Sequence, residues 1–368
     1  MEMKTVLAEA LAANDPRFAV GEYRGAEGIE DFGDPQSELL ALRENCAVYD
    51  LGYRVRLSLT GADRVRWLNG MVTNNIRDLA AGRGVYAFLL NPQGHILGDL
   101  YAFNFGDSIT VDTDRSQRDK VLATFDHYII MDDVEVSDLS AGISAIGVAG
   151  PRSRTILESL GFEIAGMRAL EIRDQSWRGI DCTLVCGERE DHPSFEIWLP
   201  NIHIRTLWDA TCSAGATPVG FRALELQRIA LGIPLYGVDI RERDLPQETE
   251  QARALNFNKG CYVGQEIIER IRSRGAVHRK FSGFAIEGSA DLAPTTRILA
   301  NDKEVGEITS IATYRISGQS RTIALGYIRR EVATPGRQVG LGNNVANVIS
   351  LPVPDSFLRE SAVAERRA

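Results

Sequence analysis

Cysteine is scarce in this chain: five residues among 368, with no framework spacing. A disulfide scaffold is thereby excluded, and reduced thiols in a cytoplasmic setting are expected. Long apolar runs are missing as well. Stretches such as VYAFLL and ISAIGVAG fall far short of the roughly 20 residues that a membrane-spanning helix needs. Positive charge is not in excess, since the formal net charge is −9. The chain therefore lacks the overall electrostatic footprint of a nucleic-acid binder, and neither nucleic acid nor membrane is expected as a partner. The five histidines (His95, His127, His192, His203 and His278) are scattered without ligand spacing, so no metal site is expected. Cys182 and Cys186 form the one close cysteine pair, in DCTLVCGE. That segment alternates like a strand, where residues four apart share a face at roughly 13 Å, too far for one zinc ion. Two half-buried strand cysteines are the expectation.

What is present is an ordinary folded composition, 44% hydrophobic and 25% charged. The length calls for two or three domains. The opening MEMKTVLAEALAAND reads as an amphipathic helix, not a signal peptide. VRLSLTGAD alternates as a strand; Asp63 can cap the helix that follows, with Val65, Leu68 and Val72 on one face. SQRD at 116–119 resembles a capping box ahead of a helix carrying Val121, Leu122, Phe125, Tyr128 and Ile129. The next hundred residues repeat this order: strand, turn, a helix with Pro151 near its start and Gly161 past its end, more strands, then a helix with Ile204, Leu207 and Trp208. Two similar halves suggest an α+β core built by duplication. From Lys280 onward, short alternating strands punctuated by glycine predict a small β-barrel. GLGNNV at 340–345 lacks the third glycine and the following helix of a dinucleotide fingerprint, and reads as a turn. The tail after Pro354 reads as a surface helix or as disordered.

Several motifs then stand in a telling order: YDLGYRVRLSLTGADRVRWLNGMVTNNI, LLNPQGHILGDLYAF, FEIWLP, RIALGIPLYGVDI and NKGCYVGQE. Together, over roughly residues 45–350, they resemble the aminomethyltransferase-like family. That family includes the T-protein of the glycine cleavage system and the folate-binding YgfZ proteins of iron–sulfur cluster maintenance. KGCYVGQE at 259–266 is similar to the YgfZ signature. The resemblance implies a three-domain cloverleaf, with two ferredoxin-like α/β subdomains and a C-terminal β-barrel around a tetrahydrofolate channel. The corresponding expectation is an N-terminal folate-binding α+β domain at 1–140, a second α+β domain with the cysteine motif at 141–280, and the barrel at 281–368.

A reduced folate presents a pterin rich in N–H donors and a tail of carboxylates, so its site needs acidic acceptors at one end, cations at the other and apolar walls between. By resemblance, Asp99 in GHILGDL matches the acid beside the reactive nitrogen, and Glu196 in FEIWLP the pterin-holding glutamate. Arg228 in LQRIALG matches an arginine of the family, and Tyr86 in YAFLLN a tyrosine. The chain departs from the T-protein in reading DLGYRV for DLSHMG and in carrying Ala230 where LRLEAG has its glutamate. These losses favour the YgfZ branch: a tetrahydrofolate-binding protein supporting iron–sulfur cluster assembly or repair, with iron–sulfur enzymes or assembly proteins as partners. The rivals are a folate-dependent aminomethyltransferase and a non-catalytic scaffold of the same fold.

Cys261 stands out for its setting. Gly260 permits an unusual backbone, and Ile267, Ile268 and Ile271 mark a helical face just downstream. A thiol at or just before a helix N-terminus, beside Lys259, is expected to be thiolate-prone and functional.

Overall fold

Apolar residues alternate with charged ones through RVRLSLT and ITVDTD, which puts one set of side chains on each face of a sheet. In the computed structural model both faces are covered. The structure describes residues 3–13, 18–275, 277–316 and 318–358. It divides into two units: one of Met1–Asn91, Leu97–Leu224 and Arg253–Val263, the other of Pro92–Ile96, Glu225–Ala252 and Gly264–Ala368.

The first unit opens with helix α1 (Val6–Ala12), strands β1 (Val20–Tyr23) and β2 (Ala26–Ile29), and α2 (Pro35–Glu44). Next come β3 (Ala47–Asp50), β4 (Arg54–Thr60), α3 (Arg64–Met71), β5 (Arg83–Leu90), β6 (Ile96–Asn104), β7 (Ile109–Asp114), α4 (Arg118–Tyr128) and β8 (Glu135–Asp138). The repeat of that pattern supplies β9 (Ile143–Ala149), α5 (Ser153–Ser159), β10 (Ile172–Trp177), β11 (Ile180–Cys186), β12 (Ser194–Pro200), α6 (Ile204–Ser213) and β13 (Thr217–Pro218). The strand orders are β5-β6-β7-β4-β8 and β10-β11-β12-β9-β3-β13. The two halves are the same walk, with β3 inserted into the second sheet; the duplication expected from the sequence is there.

Each sheet buries one face under its own helices. Val55, Leu57, Leu59, Ile109 and Val111 pack against Trp67, Leu68, Val121 and Phe125. Ile146, Val148, Phe195 and Ile197 pack against Leu157, Leu207 and Trp208. Cys182 and Cys186 lie buried in that second core, as the alternation required. The other faces of the two sheets meet each other through an aromatic layer that includes Phe103 and Trp198, edge to face at 5.4 Å.

Two caps expected from the sequence are not made. Asp63 precedes α3 but makes no capping bond; its carboxylate accepts from the Asp133 amide and from Arg66. At 116–119 no capping box forms, because a short 3₁₀ turn (Arg115–Gln117) intervenes and Gln117 turns its amide inward. Gly161 does end α5, at φ 92°.

Helix α7 (Phe221–Leu231) carries the chain from the first unit into the second. The second unit also holds α8 (Gln265–Arg274) and six strands: β14 (Arg279–Glu287), β15 (Arg297–Ala300), β16 (Lys303–Ile316), β17 (Gln319–Arg329), β18 (Gln338–Leu341) and β19 (Asn344–Ile349). These close as β14-β17-β16-β15-β18-β19, the barrel that the glycine-punctuated pattern predicted. Gly306 and Gly326 let β16 and β17 approach closely, since a Cβ at either would overlap a carbonyl of the facing strand. Gly342 makes the turn read at GLGNNV. Past Pro354 a short helix runs Asp355–Leu358, and the rest of the tail lies outside the described residues. No described helix is long and apolar enough to cross a membrane. Among the described residues no cluster of three or more metal-ligating side chains occurs.

Candidate functional site

The site is built on the sheet faces that meet inside the first unit. On β6 Tyr101 and Phe103 leave the helix-covered core, and Asp99 is in register with them. The phenol of Tyr86, from the adjacent β5, donates to its Oδ2 at 2.6 Å. Gln117 Nε2 donates to Oδ1 at 2.7 Å, and Gln117 Oε1 accepts from the Asp99 amide at 2.9 Å. That explains the missing cap: the Gln117 amide is committed to Asp99. Burial pushes the Asp99 carboxyl above its usual range, with Asp114 adding to the effect. Tyr86, Gln117 and Arg54 act the other way. The Tyr86 hydroxyl is itself held far above its ordinary value by burial and by Asp99, so it stays a donor. The Arg253 guanidinium lies 4.1 Å from the Tyr86 ring centroid, donates to the Tyr101 hydroxyl at 3.1 Å and pairs with Glu188.

Beside this group runs a line of buried charges. Arg54 on β4 pairs with Asp112 at 2.7 Å and Asp114 at 2.6 Å, both on β7. Two residues along β4, Arg56 lies 4.5 Å over the ring of Trp198. Glu196, on the facing sheet, accepts from the Trp198 indole at 2.9 Å. Burial and Asp112 push its carboxyl up, opposed by Arg54 and Arg56. Arg54 thus acts electrostatically on both Asp99 and Glu196.

Three of the residues singled out in the sequence, Tyr86, Asp99 and Glu196, therefore share this interior; Tyr86 and Asp99 touch. Arg228 belongs to the second unit. Its buried guanidinium is engaged by Glu225 at 2.8 Å, Asp239 at 2.6 Å, Ser310 Oγ at 3.0 Å and the Ile233 carbonyl at 2.8 Å. It ties α7 to β16 and has no exposed fork to offer.

Cys261 is exposed, in a segment without regular structure. Helix α8 begins four residues later at Gln265, capped by Gly264 at φ 81°, so Cys261 precedes the first turn. The glycine that needs the left-handed conformation is Gly264, not Gly260. Lys259, read in the sequence as a cation acting on the thiol, has another commitment. Its Nζ donates to the carbonyls of Asn69, Val72 and Asn74 at 2.5–2.8 Å, across the C-terminus of α3. Burial and the neighbouring Arg77 draw its pKa down to about 7. Thr73 Oγ1 and Asn74 Nδ2 bond the carbonyls of Ala254 and Arg253, and the Val263 amide bonds Gly70. The segment 253–263 is strapped over the loop after α3, and so holds Arg253 against Tyr86.

Sequence reasoning missed Arg54, Arg56, Asp112, Gln117 and Arg253. One signal was available: RVR and DTD each place two like charges on one strand face.

The family model described as "GCVT N-terminal domain" matches residues 22–259. A chloroplast protein of Arabidopsis thaliana, named only as a candidate transferase, is 26% identical over 88% of this chain and 74% of its own length. The aminomethyltransferase of Alcanivorax borkumensis is 25% identical over 86% of this chain and 89% of its own. Among solved structures, glycine cleavage system aminomethyltransferase T from Bartonella henselae superposes with a TM-score of 0.85, covering 96% of this chain and 99% of that one at 19% identity. That likeness shows the fold, and the α+β architecture with its closed C-terminal barrel agrees with it.

Proposed function

The chain belongs to the family of the GCVT N-terminal domain, and from that premise we propose that it binds tetrahydrofolate in the first unit and handles a one-carbon unit there in the manner of an aminomethyltransferase. The observation that carries the reading is Asp99: a half-buried carboxyl gripped by Tyr86 and Gln117, on a sheet that faces Glu196. The residues fit the ligand. A carboxylate has about four acceptor positions; Asp99 gives two to Tyr86 and Gln117, and Glu196 gives one to Trp198. The remainder can receive pterin N–H groups between walls of Tyr86, Tyr101, Phe103 and Trp198. Tetrahydrofolate, when bound, supplies the ring nitrogen that accepts the one-carbon unit. Asp99 is the group to hold or release a proton beside it, and burial, by raising its pKa, makes it a better proton acceptor than an ordinary carboxylate. Relatives named aminomethyltransferase support transfer over the scaffold reading.

The test is folate-dependent ammonia release in a reconstituted glycine cleavage assay with this chain as the T component. We expect release, and a loss of about a hundredfold or more in Asp99→Asn, the scale of a lost acid–base group. Equal release by the variant would remove Asp99 from the chemistry. No release alongside normal folate binding would end the transferase reading.

The second reading, support of iron–sulfur enzymes, rests on Cys261. It is the exposed one of the five cysteines, in a loop pinned by Lys259. Such a pinned, accessible thiol suits exchange with a partner.

A further inference from the structure

A cavity of about 700 Å³ in the first unit shares the Trp198 wall with the folate reading, but neither Asp99, Tyr86 nor Glu196 lines it. Its wall includes Arg56 and Trp198, with Phe105 and Ile143 among its apolar residues. Asp174 and Asp181, both exposed, belong to the lining as well. The volume is that of a small-molecule site.

Arg56 is the unusual element. Its side chain is 1% exposed, and none of its three guanidinium nitrogens has a hydrogen-bond partner among the described residues. Its neighbouring carboxylates, Asp112 at 3.7 Å and Glu196 at 3.9 Å, are too distant to hydrogen-bond. Asp112 is already engaged by Arg54. A buried guanidinium with five N–H donors and no acceptor is costly, and a planar carboxylate matches its fork. Opposite in sign, Asp174 and Asp181 sit at solvent; Asp174 accepts from Thr183 Oγ1.

The polarity of the cavity selects among ligands. A pure anion would have to pass two carboxylates, while a pure cation would meet a buried guanidinium. A molecule that is anionic at its inner end and cationic at its outer end satisfies both. We propose that this cavity binds an amino-carboxylate of amino-acid or small-peptide size, its carboxylate toward Arg56, its ammonium toward Asp174 and Asp181, and its apolar body against Phe105, Ile143 and Trp198. This site borders the folate site at Trp198 but uses none of Asp99, Tyr86 and Glu196 in its lining.

Three isosteric probes separate the charges: L-phenylalanine, 3-phenylpropionate, which lacks the amine, and phenethylamine, which lacks the carboxylate. Binding is read by calorimetry and by the change in tryptophan fluorescence that disappears in Trp198→Phe. L-Phenylalanine should bind at least about tenfold more tightly than either analogue, as two charge-assisted contacts require. Arg56→Gln should weaken L-phenylalanine and 3-phenylpropionate by about tenfold and leave phenethylamine unchanged. Asp174→Asn with Asp181→Asn should weaken L-phenylalanine and phenethylamine, and spare 3-phenylpropionate. If Arg56→Gln does not fold, the probe ranking and the double aspartate variant still decide. Equal binding of the three probes, no Trp198-dependent signal with any of them at millimolar concentration, or unaltered L-phenylalanine binding in the double variant would overturn the proposal. Tetrahydrofolate titrated into the double variant should bind as in the parent, so that failure here and failure of the folate reading are told apart.

Discussion

Replacing Glu196 by alanine tests the folate pocket most directly. Glu196 is a half-buried carboxylate with one bond of its own, from the Trp198 indole, so most of its acceptor capacity is available to a pterin. Removing a charged partner from a buried hydrogen bond costs about 1.5–3 kcal/mol. Affinity for tetrahydrofolate should therefore fall by about ten- to a hundredfold. Glu196→Gln keeps an acceptor for Trp198 and loses only the charge, so its loss should be smaller. The substitution also takes a carboxylate from beside Arg56, and thermal unfolding of both variants separates lost stability from lost contacts. The pH dependence has a definite sign. Burial raises the Glu196 pKa, so the ionised acceptor is lost as pH falls through that raised value. Affinity should weaken toward acid in the parent, and that dependence should flatten in the variants. The assay is anaerobic calorimetric titration with tetrahydrofolate. Unchanged affinity in a folded Glu196→Ala variant refutes the placement of the pterin.

Tyr86→Phe removes a donor that holds down the Asp99 pKa, so the acidic limb of folate-dependent turnover should move to higher pH; an unmoved limb would detach Tyr86 from the chemistry. Mild alkylation of folded protein should label Cys261 first, because burial pushes Cys46, Cys182 and Cys212 up to about 11 and also raises Cys186. On the second reading, Cys261→Ser should keep folate affinity while abolishing support of iron–sulfur enzymes in cells; even labelling of all five thiols, or full support by the serine variant, makes Cys261 a bystander. Asp50, which accepts from Thr5 and from the Gly52 amide, is pushed up to about 6 by burial. A carboxyl held about two pH units above its ordinary value costs the folded state roughly 3 kcal/mol at neutral pH. Its stability contribution is complete below about pH 4 and is lost as pH rises through about 6. Asp50→Asn forfeits one of the two accepted bonds, so the expected gain at pH 7 is about 1–2 kcal/mol, and the fall that Asp50 imposes on the parent between about pH 4 and 6 should be missing from the variant. Denaturant titration across that range checks both, and a less stable variant at pH 7 would show the two bonds outweighing the burial.

The parts of this molecule that could be read from sequence are those where one physical force acts alone. The barrel strands alternate because one face is buried and the other is wet, and that pattern is visible at Ile308, Ala312 and Tyr314, all buried. The helices over each sheet carry ordinary apolar stripes. The charged interior is different. Arg54, Arg56, Asp112 and Asp114 alternate with Val55, Leu57, Val111 and Thr113 as a solvated face would, since a strand's period of two is the same whether its polar side meets water or a second sheet. Only the pairing of β4 with β7, which sets Arg54 opposite Asp114 and Arg56 opposite Asp112, turns like charges along each strand into opposite charges across strands. Pairing is a property of topology, and a single sequence does not display it. Lys259 and Gln117 fail the sequence reading for a related reason. Lys259 has an obvious local role beside a thiol, and Gln117 lies inside a segment that resembles a capping box, yet each is drawn to a partner distant in the chain: Asn69 at 190 residues' separation, and Asp99 at 18. Local rules lose where a buried acceptor left unsatisfied would cost more than a helix cap contributes. Such places concentrate around Asp99 and the strapped loop, where the proposed chemistry lies.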